Sequence, residues 1–183
     1  MVWGIVMELG INGSVGRSAF LATGLASVDE LYDLARDKSP QSRRQLTQAI
    51  SEVLETELSF REAELVSDVL IALLKQAEHD FRKTLAERLS IMDGVPLRLV
   101  LHMANEDIDI ARPVLQKSSV LGEFDLLYII KSTSAEYWRA IATRESLSEQ
   151  VVDVLADCND FETALALAEN TNITLSNRVL NIF

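Results

Sequence analysis

The sequence predicts an all-α fold, a solenoid of about five stacked helical pairs wound as a right-handed superhelical array. Three observations predict it: helix-capping signals recur along the chain, turn breakers are scarce after residue 25, and an eleven-residue block returns five times. The chain has 183 residues, enough for one domain or one short repeat array to bury a sizeable core. At 48% hydrophobic and 25% charged residues it is too apolar to stay disordered. Of its 7 Gly, five (Gly4, Gly10, Gly13, Gly16 and Gly24) stand near the start, and only 3 Pro occur, so the remaining length lacks the spaced turn signals of an all-β chain.

Residues 1–26 show little periodicity and read as a flexible Gly-containing leader. From Ser27 onward, Ser27 with Glu30, Ser59 with Glu62, Thr133 with Glu136 and Ser146 with Glu149 each fit the capping-box spacing, in which two orphan backbone donors are satisfied reciprocally. Ser39 before Pro40 adds an N-cap followed by proline at the first helical position. Leu65, Val66, Val69, Leu70, Leu73 and Leu74 recur at helical spacing and make one apolar stripe.

The repeated blocks begin at Gln41, Asp80, Asp109, Glu136 and Asp160. The last four open on an acid, which suits the positive end of a helix dipole, and continue with a large apolar residue: Phe81, Ile110, Tyr137 or Phe161. Their sixth position is aliphatic: Leu85, Val114, Ile141 and Leu165, joined by Leu46 of the first block. Positions two and six are four apart and share a helical face. Each block is expected to be the second helix of a pair, with first helices over roughly 27–37, 59–76, 95–105, 122–132 and 147–157. A lone pair cannot hide both its apolar faces, so the pairs are expected to stack in the HEAT-like manner. Pro113 lies inside the third block and is expected to delay that helix by a turn. The expected core holds Leu46, Leu70, Leu73, Phe81, Leu85, Val114, Tyr137, Ile141, Phe161 and Leu165.

The run Ile110-Ala111-Arg112-Pro113-Val114-Leu115 and the later run Arg139-Ala140-Ile141-Ala142-Thr143-Arg144 resemble the marks of the alphaproteobacterial domain of unknown function 2336 family. The resemblance extends over about residues 27 to 183. It implies a HEAT-like helical fold and brings no catalytic residues with it. The repeat domain, residues 27–183, is further expected to be cut off inside another repeat, because Leu175-Ser176-Asn177-Arg178-Val179-Leu180 echoes Leu147-Ser148-Glu149-Gln150-Val151-Val152. Val179, Leu180, Ile182 and Phe183 would then offer apolar surface for self-association at the C-terminal end.

Chemistry-bearing motifs are weak throughout. Gly10, Gly13 and Gly16 lack the preceding strand and the Lys-Ser/Thr pair of a phosphate loop. His79 and His102 have no companions at metal spacing, and Asp153, Asp157, Asp160 and Glu162 lack the sharp-turn glycine of a calcium loop, so neither a metal nor a cofactor is expected. Cys158 has no neighbouring His and no Cys partner, which reads as a bland thiol in a reducing compartment. Tyr137 and Trp138 could stack on bases, but Tyr137 falls in the core column. Met1 to Gly10 carries Glu8 and no basic residue, so it reads as neither a signal peptide nor a span, and a cytoplasmic location is expected.

The net charge of −11 repels nucleic acid and anionic membrane surfaces, and neither is expected as a partner. Against that field, block position four is basic in four blocks: Arg44, Lys83, Arg112 and Arg139. At 100° per residue this column points about 160° away from position six, and each cation has an acid three residues earlier in three of the blocks. The row is read either as solvated intrahelical pairs or as a strip for an acidic protein or peptide partner. Position nine, Arg88, Lys117 and Arg144, lies only about 20° from position two, and these cations are expected to lay their stems along the seam as structural charges between repeats and to meet acids there. The functional expectation is a non-enzymatic protein-interaction or scaffold module. The alternatives are a HEAT-like DNA glycosylase-type enzyme, which would need a basic groove, and a signalling regulator binding a small anionic ligand at the basic row.

Overall fold

The structure, a computed structural model, describes residues 28–175; the expected leader and the echo from Ser176 to Phe183 lie outside the described residues. Among those described, the chain is all-helical and holds ten helices and no strand. In chain order they are α1 (Val28–Arg36), α2 (Pro40–Glu55), α3 (Phe60–Leu74), α4 (His79–Leu89), α5 (Leu97–Ala104), α6 (Ile108–Lys117), α7 (Glu123–Ser132), α8 (Ala135–Ala142), α9 (Glu149–Ala156) and α10 (Phe161–Glu169). All ten fall where the sequence places a first or a second helix. None is long and apolar enough to cross a membrane.

The chain divides into two compact units, with the boundary between Arg82 and Lys83 inside α4. In the first unit α1 packs on α2 and on α3. Ser39 caps α2, its hydroxyl accepting from the Ser42 backbone N–H at 3.2 Å, with Pro40 at the first helical position where no donor is required. Ser59 and Glu62 form the expected reciprocal box at the start of α3. Leu46, Ile50, Leu70, Leu73 and Phe81 are buried, and Glu78 binds both Lys38 and Arg43, holding the α1–α2 turn to the start of α4. The Glu78 carboxyl is lowered below its ordinary range, chiefly by the Lys38 hydrogen bond.

In the second unit the packing follows a regular order: α6 lies against α8 and α8 against α10, while α7 lies against α9. Each of α6, α8 and α10 also touches the helix before it, α5, α7 and α9 in turn. Leu85, Leu99, Met103, Ile110, Leu115, Ile129, Ile141, Val152 and Leu167 are buried. Tight junctions are made where the backbone turns left-handed, at Gly94 (φ 76°) between α4 and α5 and at Asn159 (φ 54°) between α9 and α10. Gly and Asn are the residues that tolerate this conformation.

Four details differ from the sequence reading. Two caps shift: Ser134, not Thr133, precedes α8, while the Thr133 hydroxyl donates to the Ile129 carbonyl and closes α7; Ser148, not Ser146, caps α9 through the Val151 backbone N–H. Both expected caps lie in Ser/Thr-rich stretches where several residues satisfy the local pattern. Pro113 does not delay α6, which starts at Ile108 and runs through the proline. Burial of Ile110 and Ala111 before it and of Val114 and Leu115 after it offsets the lost backbone bond. Phe161 and Leu165 are not core: they are 76% and 40% exposed, because α10 turns Thr163 and Leu167 inward instead. Tyr137 is half-buried.

These burials set apart residues that the repeat treats as equivalent. Leu85→Ala and Ile141→Ala are expected to lose about 2 to 5 kcal/mol in denaturant unfolding. Phe161→Ser, at the same block position as buried Phe81, should stay within about 0.5 kcal/mol of wild type. A loss at Phe161 as large as at Ile141 would contradict the outward face of α10.

Candidate interaction surface

Seven cations were singled out from the sequence, and the structure treats them very differently. In the first unit Arg44 is exposed on α2 and its Nε donates to the Pro40 carbonyl at 3.1 Å. In the second unit Lys83 on α4 and Arg112 on α6 are also exposed. Arg139 on α8 is engaged: its Nε and Nη2 donate to the two carboxylate oxygens of Asp160 at 3.0 and 2.9 Å. The sequence offers Glu136, three residues earlier, as its partner, but a bidentate carboxylate on the neighbouring helix satisfies the planar guanidinium better than an i,i+3 contact.

Asp160 has a second task. It caps α10, one carboxylate oxygen accepting from the Thr163 backbone N–H at 2.8 Å and from the Thr163 hydroxyl at 2.7 Å. The Arg139 hydrogen bond and then the Thr163 hydroxyl hold the Asp160 carboxyl far below the usual carboxylate range, and the same pair strengthens the guanidinium as a cation.

Among the position-nine charges, Arg88 and Lys117 are exposed, whereas Arg144 is buried at 7% exposure. Arg144 does not meet an acid. Its Nη1 donates to the Leu115 carbonyl at 2.6 Å and its Nη2 to the Ser118 carbonyl at 2.8 Å, at the closing turn of α6. Helices end with carbonyls that lack an internal donor, and here a guanidinium from the next block supplies it. Burial pulls the Arg144 guanidinium below its ordinary value, although arginine stays protonated in proteins. Lys117 and Arg144 share a cavity of about 570 Å³ with Gln116, Thr143 and Glu145. Gln116 donates across it to the Thr143 hydroxyl at 3.0 Å.

The residue that sequence reasoning missed is Asn170. Its side-chain amide donates to the Ala142 carbonyl at 2.8 Å and to the Arg144 carbonyl at 2.7 Å, doing for the end of α8 what Arg144 does for the end of α6. An Asn just past the last apolar residue of a block was the available signal.

The other candidates are tied up in the fold. The Tyr137 hydroxyl donates to the Glu106 carbonyl at 2.6 Å and the Trp138 indole N–H to the Ile130 carbonyl at 2.8 Å, so both aromatic rings are anchored by their polar ends. Burial, and then Asp107, raise the Tyr137 hydroxyl pKa. The Cys158 thiol donates to the Val154 carbonyl, and burial, followed by Asp157 and Asp160, pushes its pKa up, away from thiolate chemistry. His102 Nε2 lies 3.3 Å from Glu106 Oε1, four residues on and just past the end of α5. Among the described residues no cluster of three or more His, Cys, Asp or Glu could hold a metal ion.

The arrangement around α6, α8 and α10 is therefore one of helix ends capped from the following block, with exposed side chains left between them. Residues 110–181 match the model of a family described as an uncharacterised protein conserved in bacteria, DUF2336. This stretch of the chain is similar to that family. No curated protein and no solved structure matches the chain. Arg112, Arg139, Arg144, Asp160 and Asn170 all lie within the DUF2336 stretch, whereas Arg44, Lys83 and Arg88 precede it.

The Arg139–Asp160 pair makes stability depend on pH in a stated direction. Asp160 has a folded pKa below its unfolded value of about 4, so its contribution is full above that value and is lost as pH falls toward the folded pKa. Asp160→Asn keeps a capping oxygen and removes the charge. The stability gap between wild type and Asp160→Asn is expected to be constant above pH about 5 and to narrow below pH about 4. A gap that stays the same in urea titrations down to pH about 2 would show that the ion pair adds nothing.

Proposed function

We propose that the chain is a non-enzymatic protein-interaction or scaffold module, and that residues 83–175 are a segment of HEAT-like α-solenoid. The observation that carries this reading is the packing order of the second unit: α6, α8 and α10 follow one another as one row and α7 and α9 as another. Stacked helical pairs of this kind use their interiors for the array and leave whole helix faces to a partner. Support also comes from the polar groups around α6, α8 and α10: Arg139, Arg144, Asp160 and Asn170 are engaged in capping or tying helices.

Exposed Lys83 and Arg112 remain the candidates for an acidic protein or peptide partner, in a reducing, cytoplasmic setting that suits the lone Cys158 thiol. Arg139 enters such a contact only by sharing its guanidinium with Asp160, so the row is weaker than four equivalent bases would be. The net charge of −11 weighs against nucleic acid as the partner.

Affinity capture from the source cell, paired with low-salt titration against duplex DNA, tests the reading. The expected result is a defined protein partner held in stoichiometric amount, weakened by salt and by Lys83→Glu with Arg112→Glu, and no DNA binding. Saturable DNA binding with release of a base would replace this reading by the glycosylase alternative.

A further inference from the structure

One exposed apolar surface of the second unit lies on α10 and the end of α9. Phe161, Ala164, Leu165 and Ala168 stand at i, i+3, i+4 and i+7, and with Ala156 they line a groove of about 360 Å³. Phe161 is 76% exposed and Leu165 40% exposed, although Leu167 on the opposite face is fully buried. Helix α10 is thus apolar on two faces, the pattern of a helix covered on both sides. Apolar stripes at this spacing are what a partner helix reads when it docks side by side.

The charges around the groove choose the partner. Residues 145–175 contain Glu145, Glu149, Asp153, Asp157, Asp160, Glu162 and Glu169 and no Lys, Arg or His. Asp157 ends α9, Glu162 and Glu169 stand on α10, and all three are exposed. A second copy meeting this face symmetrically would set acid against acid, which costs affinity. The chain's own residues 176–183 carry a single base, Arg178, against that field.

We propose that the groove formed by Ala156, Phe161, Ala164, Leu165 and Ala168 docks an amphipathic helix of another protein whose apolar stripe is flanked by Lys or Arg. This deepens the interaction-module reading and rests on it, but it uses a surface other than Lys83 and Arg112. The partner's apolar side chains fill the space between Phe161 and Ala168, and its cations sit over Glu162, Glu169 and Asp157. Affinity comes from the buried stripe, while orientation and association rate come from the charges.

The probe is a fluorescently labelled synthetic helix of about 18 residues made of Leu and Lys in amphipathic order, with a Leu/Glu helix of the same pattern as the control. Fluorescence anisotropy with the full chain should show saturable binding of the Leu/Lys helix, weakening with salt, and none of the Leu/Glu helix. Phe161→Glu with Leu165→Glu should weaken binding by roughly tenfold or more, with circular dichroism unchanged. That substitution adds negative charge, so binding through charge alone would instead tighten, and such tightening would overturn the proposal. Lys83→Ala with Arg112→Ala should leave peptide affinity unchanged, which separates this surface from the basic row. Three other results would also overturn it: no binding by wild type; binding only after Val179→Glu with Leu180→Glu, which assigns the groove to the chain's own C-terminal residues; or a dimer in sedimentation that Phe161→Glu dissolves.

Discussion

The second unit depends on how the carbonyls at the ends of α6 and α8 are satisfied. A helix end packed against a neighbour cannot leave its last carbonyls to water, and an unpaired buried carbonyl costs about 1 to 3 kcal/mol. Arg144 answers this for α6 through Leu115 and Ser118, and Asn170 answers it for α8 through Ala142 and Arg144. In both cases the donor comes from the following block, so each helix is finished only when the next one is in place. At the other end of the same row Asp160 starts α10 and holds Arg139 of α8. The helices are therefore linked by capping groups at both ends as well as by the buried Leu, Ile and Val between them.

This economy of charge shapes what is left for partners. Arginines that would make a basic surface are partly spent inside the row: Arg144 is buried and Arg139 is paired. The exposed remainder is unevenly signed. Lys83, Arg112 and Lys117 keep some positive character in the stretch up to α6, whereas nothing from Glu145 to Leu175 opposes the carboxylates. On the reading proposed above, an acidic, apolar-lined groove would attract cationic helices, and the net charge of −11 would repel polyanions.

Much of the secondary structure was legible in the sequence because a helix is a local object. The 3.6-residue period of Val66, Val69, Leu70 and Leu73, and the caps Ser39 and Ser59, act within a few residues and need no neighbour. Where several candidates crowd together, as around Thr133 and Ser146, local pattern could not decide, and the caps fell one and two residues further on. Tertiary facts were harder to read. The block pattern states that Phe161 and Leu165 share a face with the positions of Phe81 and Leu85, but not whether anything lies on that face. Position nine offers acids as the partners of Arg144, and nothing local says that its partners are carbonyls 26 and 29 residues away. Arg139 and Asp160, 21 residues apart, could have been joined by asking which acid opens the block after each position-four base.

The most direct test of the account is denaturant unfolding of Arg144→Ala and Arg144→Lys beside wild type, with amide hydrogen exchange followed at the closing turn of α6. The alanine variant is expected to lose on the order of 2 to 4 kcal/mol, since two carbonyls are left without donors. Lysine should recover less than half of that, because one ammonium cannot reproduce the two-pronged contact. Exchange should quicken first around Leu115 to Ser118. If both variants stay within about 0.5 kcal/mol of wild type and exchange there is unchanged, capping from the following block does not hold the row together.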